Sequence, residues 1–157
     1  MDERARVTQW LEMAHPVPRQ AVSEWANHGV ALLPLGKRFD AIRVPARRIH
    51  AALGSDAPET VNAALLEWLH GPVIRDVRTG SGLYYVLIAP DAQWQGPEER
   101  LSKDTHQDTY LAVPRLGLRA SPVTYWAVEP ERPGQLCDPA RLAALLSTAE
   151  TLKATES

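Results

Sequence analysis

Helical spacing of apolar residues at both ends of the chain, short apolar runs bounded by glycine and proline between them, and a hydrophobic content of 45% predict one α/β (α+β) domain. The expected architecture is a mixed, largely antiparallel sheet of about four to six strands flanked by helices. A length of 157 residues fits one core better than two. The domain is expected to span residues 1–152, with the polar residues 153–157 as a frayed tail.

The elements follow in order. Val7, Trp10, Leu11 and Ala14 recur at helical spacing, and Pro16 and Pro18 end that helix. A second helix, 18–28, is expected to bury Val22, Trp25 and Ala26, with Gly29 just past its end. The run VALLPL, 30–35, has the length and continuity of an interior strand. GKRFDAIRV reads as a loop, after which Pro45 starts a short helix, ARRIHAAL, that Gly54 stops. Val61, Ala64, Leu65, Trp68 and Leu69 describe the apolar side of a further helix closed by Gly71-Pro72.

Next, GPVIRDVRTGSGLYYVLIAP reads as a hairpin with strands at 73–77 and 83–89. Residues 90–108 are polar and irregular, and TYLAVP (109–114) and VTYWAVE (123–129) are two more strands. Asp138-Pro139 caps and opens a last helix to about 152, with Leu142, Leu145, Leu146, Ala149 and Leu152 on one side.

Composition narrows the function classes. A net charge of −2 excludes a uniformly basic nucleic-acid coat, though not a local patch. The single cysteine, Cys137, excludes an internal disulfide and a cysteine-cluster metal site. The five tryptophans outnumber the one phenylalanine, so the large core volumes are indoles, each needing a partner for its N–H when buried. The first residues are charged and amphipathic, unlike a signal peptide, and no run reaches the roughly 20 apolar residues of a membrane span. A cytoplasmic protein without a membrane partner is the expectation.

Two stretches carry candidate chemistry. GKRFDAIRVPARRIH, 36–50, sets Lys37, Arg38, Arg43, Arg47 and Arg48 against one acid, Asp40. Arginine forks and a lysine point charge suit phosphate oxygens, whereas the plainer reading is a solvated face paired with acids elsewhere. In RTGSG, 78–82, the glycines permit a tight turn whose N–H groups, helped by Thr79 and Ser81, would cradle an anion. The plainer reading there is a hairpin bend, because GxxxxGK[ST] and its following helix are missing.

Acids for two-metal chemistry are not grouped. A DxD on a strand puts both carboxylates on one side, but VIRDVRT follows Asp76 with Arg78. Asp104, His106 and Asp108 read as a solvated loop rather than a metal site, and Cys137 has no paired histidine. No catalytic residue, metal ligand or cofactor is assigned.

The order of helix, GVALLPL, GKR, helices and RTGSGLYYVLIAP resembles the bifunctional DNA primase/polymerase N-terminal domain of the archaeo-eukaryotic primase superfamily. TYLAVPRLG and SPVTYWAVEP are similar to short actinobacterial proteins carrying that family name. The resemblance covers residues 20–90 and implies a primase-polymerase fold and nucleotide contacts. The family's metal-binding acid pair is missing between the basic loop and the glycine turn, and Tyr84 and Tyr85 stand where its histidine would. The kinship therefore implies a degenerate, non-catalytic member. The expected function is binding of nucleic acid or a nucleotide phosphate through Lys37, Arg38, Arg43, Arg47, Arg48, Arg78, Thr79, Ser81 and Tyr85. The alternative is a protein-interaction or regulatory scaffold, as a homodimer; a nucleotidyltransferase using Asp40, Asp76 and Asp91 is the least favoured reading.

Overall fold

A five-stranded antiparallel sheet lies between a layer of three helices and a second layer that joins two helices to a two-stranded ribbon. The structure is a computed structural model and describes residues 2–78, 80–103 and 109–156, with side chains through Ala149. In chain order the described elements are α1 (Glu3–Glu12), α2 (Pro18–His28), β1 (Val30–Pro34), β2 (Asp40–Pro45), α3 (Ala46–Leu53) and α4 (Pro58–Leu69). There follow β3 (Val73–Asp76), β4 (Leu83–Ile88), β5 (Glu99–Leu101), β6 (Tyr110–Pro114), β7 (Thr124–Val128) and α5 (Pro139–Glu156). The large sheet runs β5-β2-β4-β3-β7 and the ribbon pairs β1 with β6, so the α+β class with antiparallel sheets holds.

Helix ends follow local chemistry. Asp2 accepts from the Ala5 N–H at 2.7 Å to open α1, and Asp138 accepts from the Ala140 N–H at 2.9 Å at the start of α5. Gly29 and Gly54 close α2 and α3 with φ of 74° and 69°, the left-handed turn that glycine adopts without strain. The end of α4 departs from expectation. His70, not Gly71, takes the left-handed position, at φ 59°. Gly71 is needed for another reason: a Cβ there would lie 2.5 Å from the backbone of Leu136 and Cys137, where the approach to α5 crosses.

Both sides of the large sheet are buried. Strand alternation sends Ile42 and Val44, Val73, and Tyr84, Val86 and Ile88 toward α3, α4 and α5, where Ile49, Leu65, Leu69, Leu142 and Leu145 meet them. The intervening Ala41, Ile74, Leu87 and Trp126 face Val7 and Leu11 of α1, Trp25 of α2 and Leu33, Leu111 and Val113 of the ribbon. Each fully buried large apolar side chain contributes about 2 kcal/mol, so this second layer stabilises the sheet as much as the helices do. The buried indoles find acceptors as expected. Trp25 donates to the Val113 carbonyl and Trp126 to the Pro114 carbonyl, each at 2.9 Å, which ties β6 to α2 and to β7.

Four expectations are corrected. Residues 40–45 form a strand, and a central one, within the stretch read as the GKRFDAIRV loop. Its apolar residues serve two different cores, so Ala41 and Ile42 are buried side by side and the alternation is blurred. VALLPL is one half of the ribbon and not an interior strand of the large sheet, with Leu32 left 53% exposed. The polar loop 90–108 contains β5, a three-residue edge strand on β2. On α2, Val22 and Ala26 face solvent while Ala21 and Trp25 are buried. In addition, α5 continues past Leu152 to Glu156.

The outer edge of β7 is closed by side chain and loop. The Trp126 N–H donates to the Leu118 carbonyl at 2.9 Å. The Arg119 guanidinium donates to the Trp126 and Ala127 carbonyls at 3.1 and 3.3 Å.

Candidate functional site

The ladder register places part of the predicted set together. On the side of the large sheet that faces the ribbon, Glu99, Arg43, Tyr85 and Ile74 lie in one row across β5, β2, β4 and β3. Residues directly opposite on paired strands share a side. The next row holds Pro45, Leu83, Asp76 and Thr124. Ile74 and Trp126 are under the second core, but Arg43 and Glu99 emerge beyond it. The result is a polar end to an otherwise apolar side: Arg43, Tyr85, Asp76 and Glu99, joined by Arg78 from the turn after β3.

Asp76 organises this end. Its carboxylate is buried and accepts from the Arg78 backbone N–H at 2.9 Å and from the Arg78 guanidinium at 3.2 and 2.7 Å. Burial alone would raise its pKa; the hydrogen bonds and charge of Arg78, with the charge of Arg75, outweigh it and hold the carboxyl below the usual range. Arg78 is thereby fixed in orientation while its side chain stays 52% exposed. Arg43 is held more loosely, 3.6 Å from Glu99, with side chains 45% and 61% exposed. Such a pair contributes little and exchanges readily for another anion. Tyr85 sits half-buried between them, its hydroxyl kept protonated chiefly by burial and then by the nearby Asp76 charge.

The rest of the predicted set is scattered. Lys37 and Arg38 precede β2 and Arg47 and Arg48 follow it, so a six-residue strand of roughly 20 Å separates the two pairs. Arg48 bonds the buried Glu98. Lys37 and Arg47 are exposed, and Arg38 has its Nε buried with no hydrogen-bond partner among the described residues. Thr79 lies outside the described residues, as do Asp104, His106 and Asp108. Ser81 is exposed in the β3–β4 turn.

That turn is a hairpin bend gripped from beneath. Gly80 and Gly82 have φ of 53° and 89°, and the Arg75 guanidinium donates to the carbonyls of Asp76, Ser81 and Leu83 at 3.1, 3.0 and 3.4 Å. The carbonyls of the turn thus converge on a cation of the protein itself. Arg75 also lies over the Tyr84 ring, 4.8 Å from its centroid, and the Tyr84 hydroxyl meets His50 Nε2 at 2.9 Å. Burial pushes the Tyr84 hydroxyl up to about 12 and, with the Arg75 charge, lowers His50. The pair is mutually satisfied beneath α3.

The acids of the nucleotidyltransferase reading do not converge. Asp76 pairs with Arg78, Asp40 pairs with Arg100 at the far end of β2, and Asp91 is exposed. Among the described residues no group of three or more His, Cys, Asp or Glu side chains is placed to hold a metal ion, and no helix is long and apolar enough to cross a membrane. Cys137 is buried with its Sγ 3.3 Å from the Pro72 carbonyl, and burial pushes its thiol far up, away from nucleophilic chemistry.

Sequence reasoning missed the acids that neutralise the basic stretch. Glu98 and Glu99, with Arg100 as the partner of Asp40, come from β5 and the residue before it, about fifty residues downstream, and the one local signal was their clustering beside Trp94, whose indole N–H donates to the Glu98 carbonyl at 2.9 Å. No family model, curated protein or solved structure matches the chain.

Proposed function

We propose that the chain is a non-catalytic binding module that takes a nucleic-acid strand or a nucleotide phosphate on the polar end of its large sheet, through Arg43, Arg78 and Tyr85. The observation that carries this reading is the Arg78 guanidinium, oriented by the buried Asp76 and half-exposed beside Tyr85. An arginine fixed in advance loses little freedom on meeting a phosphate, and its remaining N–H groups supply the fork that phosphate oxygens accept. Arg43 adds a second cation that its exposed partner Glu99 holds weakly. Tyr85 offers an edge or ring to a base, the usual complement to a basic track. Degenerate primase-polymerase kinship is compatible with such a module and supplies no part of the geometry.

Fluorescence anisotropy with a labelled single-stranded oligonucleotide at two salt concentrations tests the reading. Binding is expected at low salt, weakened roughly tenfold by the Arg43→Ala, Arg78→Ala pair and unaltered by Arg47→Ala. No binding at low salt removes it.

A second reading rests on the ribbon. The side of β1 and β6 turned from the core carries Val30, Leu32, Pro34, Tyr110 and Ala112, with Leu32 and Tyr110 about half exposed. An all-apolar outward side favours a protein partner, a homodimer included. Sedimentation of the wild type and of Leu32→Asp separates the two readings: a dimer abolished by the substitution favours the second.

A further inference from the structure

Between α1, α2 and the residues that follow β6 lies a cavity of about 220 Å³ whose charged walls are of one sign. Arg4, Thr8 and Leu11 line it from successive turns of α1, and Val22 and Trp25 line it from α2. Leu11 and Trp25 are buried and make an apolar floor, whereas Val22 stands 45% exposed. Arg115 joins them from the segment after β6, where its backbone N–H donates to the Gly29 carbonyl at 2.9 Å and pins it beside the end of α2. A single exposed valine is ordinary. One that shares a cavity with two guanidiniums and a hydroxyl makes the lining amphipathic.

The two arginines come close to one another. A Cβ on Gly117 would lie 3.5 Å from Arg115 Nη1 and 3.7 and 3.8 Å from Arg4 Nη1 and Nη2, so both guanidiniums flank one point of the chain. Glu129 answers one of them. Its Oε2 accepts from Arg4 at 3.2 Å and its Oε1 from the Gly117 N–H, so both oxygens are engaged. The Arg115 guanidinium donates to the Leu116 carbonyl at 3.4 Å and has no ion-pair partner among the described residues. Neighbouring like charges with one counter-charge favour an added anion.

Charge and volume select the ligand. An ammonium group meets two like charges. A neutral hydrocarbon covers the floor and leaves Arg115 unanswered. The volume falls below the roughly 300 Å³ at which drug-sized pockets begin, so a nucleotide is too large. An anion on a short apolar body suits every wall, with guanidinium and hydroxyl donors for its oxygens and apolar side chains for the rest.

We infer that this cavity binds a small amphipathic anion, a carboxylate or phosphate ester on a short hydrocarbon body, with Arg115, Arg4 and Thr8 on the anion and Val22 and Trp25 on the hydrocarbon. The site shares no residue with the surface of Arg43, Arg78 and Tyr85, so either can fail without the other.

Amide NMR shifts test it with hexanoate, hexyl phosphate, 1-hexanol, hexylammonium and acetate as separate titrants. At least one of the two hexyl anions is expected to move the Thr8, Val22 and Arg115 amides saturably below about 20 mM. Hexanol, hexylammonium and acetate each lack one half of the match and are expected to bind at least roughly fivefold more weakly. Tighter binding of hexyl phosphate assigns a phosphate ester; tighter or equal binding of hexanoate assigns a carboxylate. Arg115→Ala, on an exposed side chain, is expected to weaken the better anion about fivefold and to leave hexanol unaltered. Val22→Asp, at another exposed position, is expected to weaken both. Absence of saturation with both anions, any of the three controls binding as tightly as the better anion, or unaltered anion binding in Arg115→Ala overturns the inference.

Discussion

The Arg75 guanidinium lies over the Tyr84 ring on the neighbouring strand and, from that position, donates to three carbonyls of the β3–β4 turn. The turn is therefore held by a residue that looks, in sequence, like one more positive charge. Arg75→Ala is expected to lower stability by about 2–3 kcal/mol, from the ring contact and the charged hydrogen bonds together, and Arg75→Lys by less because the fork is removed but the charge stays. Urea unfolding of both variants measures this. A change of under about 0.5 kcal/mol for Arg75→Ala would contradict it.

The glycines on either side of Ser81 separate conformation from steric crowding. Gly80 has positive φ and open space around it, so Gly80→Ala is expected to cost about 1 kcal/mol. Gly82 also has positive φ, and a Cβ there would lie 2.5 Å from the Asp76 carbonyl and against Arg75. Gly82→Ala is expected to cost at least about 2 kcal/mol, and less in an Arg75→Ala background if the crowding matters. A double-mutant cycle gives the coupling directly.

Asp76 and Asp40 shift in opposite directions, and acid titration of stability should separate them. The folded pKa of Asp76 is depressed, so its stabilisation is present above the unfolded value near 3.8 and is lost as pH falls through the folded value. Asp40 is raised, so it favours the folded state below its unfolded pKa and that advantage disappears as pH rises through its folded pKa. Asp76→Asn is expected to flatten the loss of thermal stability below about pH 4, and Asp40→Asn to remove an opposing slope above it. Melting curves at pH steps from 3 to 6 (roughly the carboxylate range) check both signs.

The salt dependence of any oligonucleotide binding distinguishes the two kinds of arginine. Arg43→Ala is expected to lower the slope of log K against log salt by about 1, the change that follows when one fewer cation meets a phosphate. Arg48→Ala should leave the slope unaltered, because that arginine is committed to the buried Glu98, and its effect should fall on stability.

Much of the fold was legible where one residue decides locally. Gly29 and Gly54 announce helix ends because few other residues take their conformations cheaply, and the apolar side of α4 keeps one period throughout. β2 was hidden because its six residues answer to two cores, an arginine facing outward and an acid held by Arg100. β5 was hidden because three residues are too few to carry a period. Within the site, the neighbours Asp76 and Arg78 could be read from their spacing. The pairing of Arg43, Arg48 and Asp40 with Glu99, Glu98 and Arg100 could not, since it depends on an edge strand returning to β2 from far along the chain.

The guanidinium of Arg119, seated on the carbonyls of Trp126 and Ala127, occupies the acceptors that an incoming extended peptide would need. A partner cannot lengthen the sheet at that margin without first evicting a charged side chain. Edge-to-edge self-association into fibres is thereby opposed at that point.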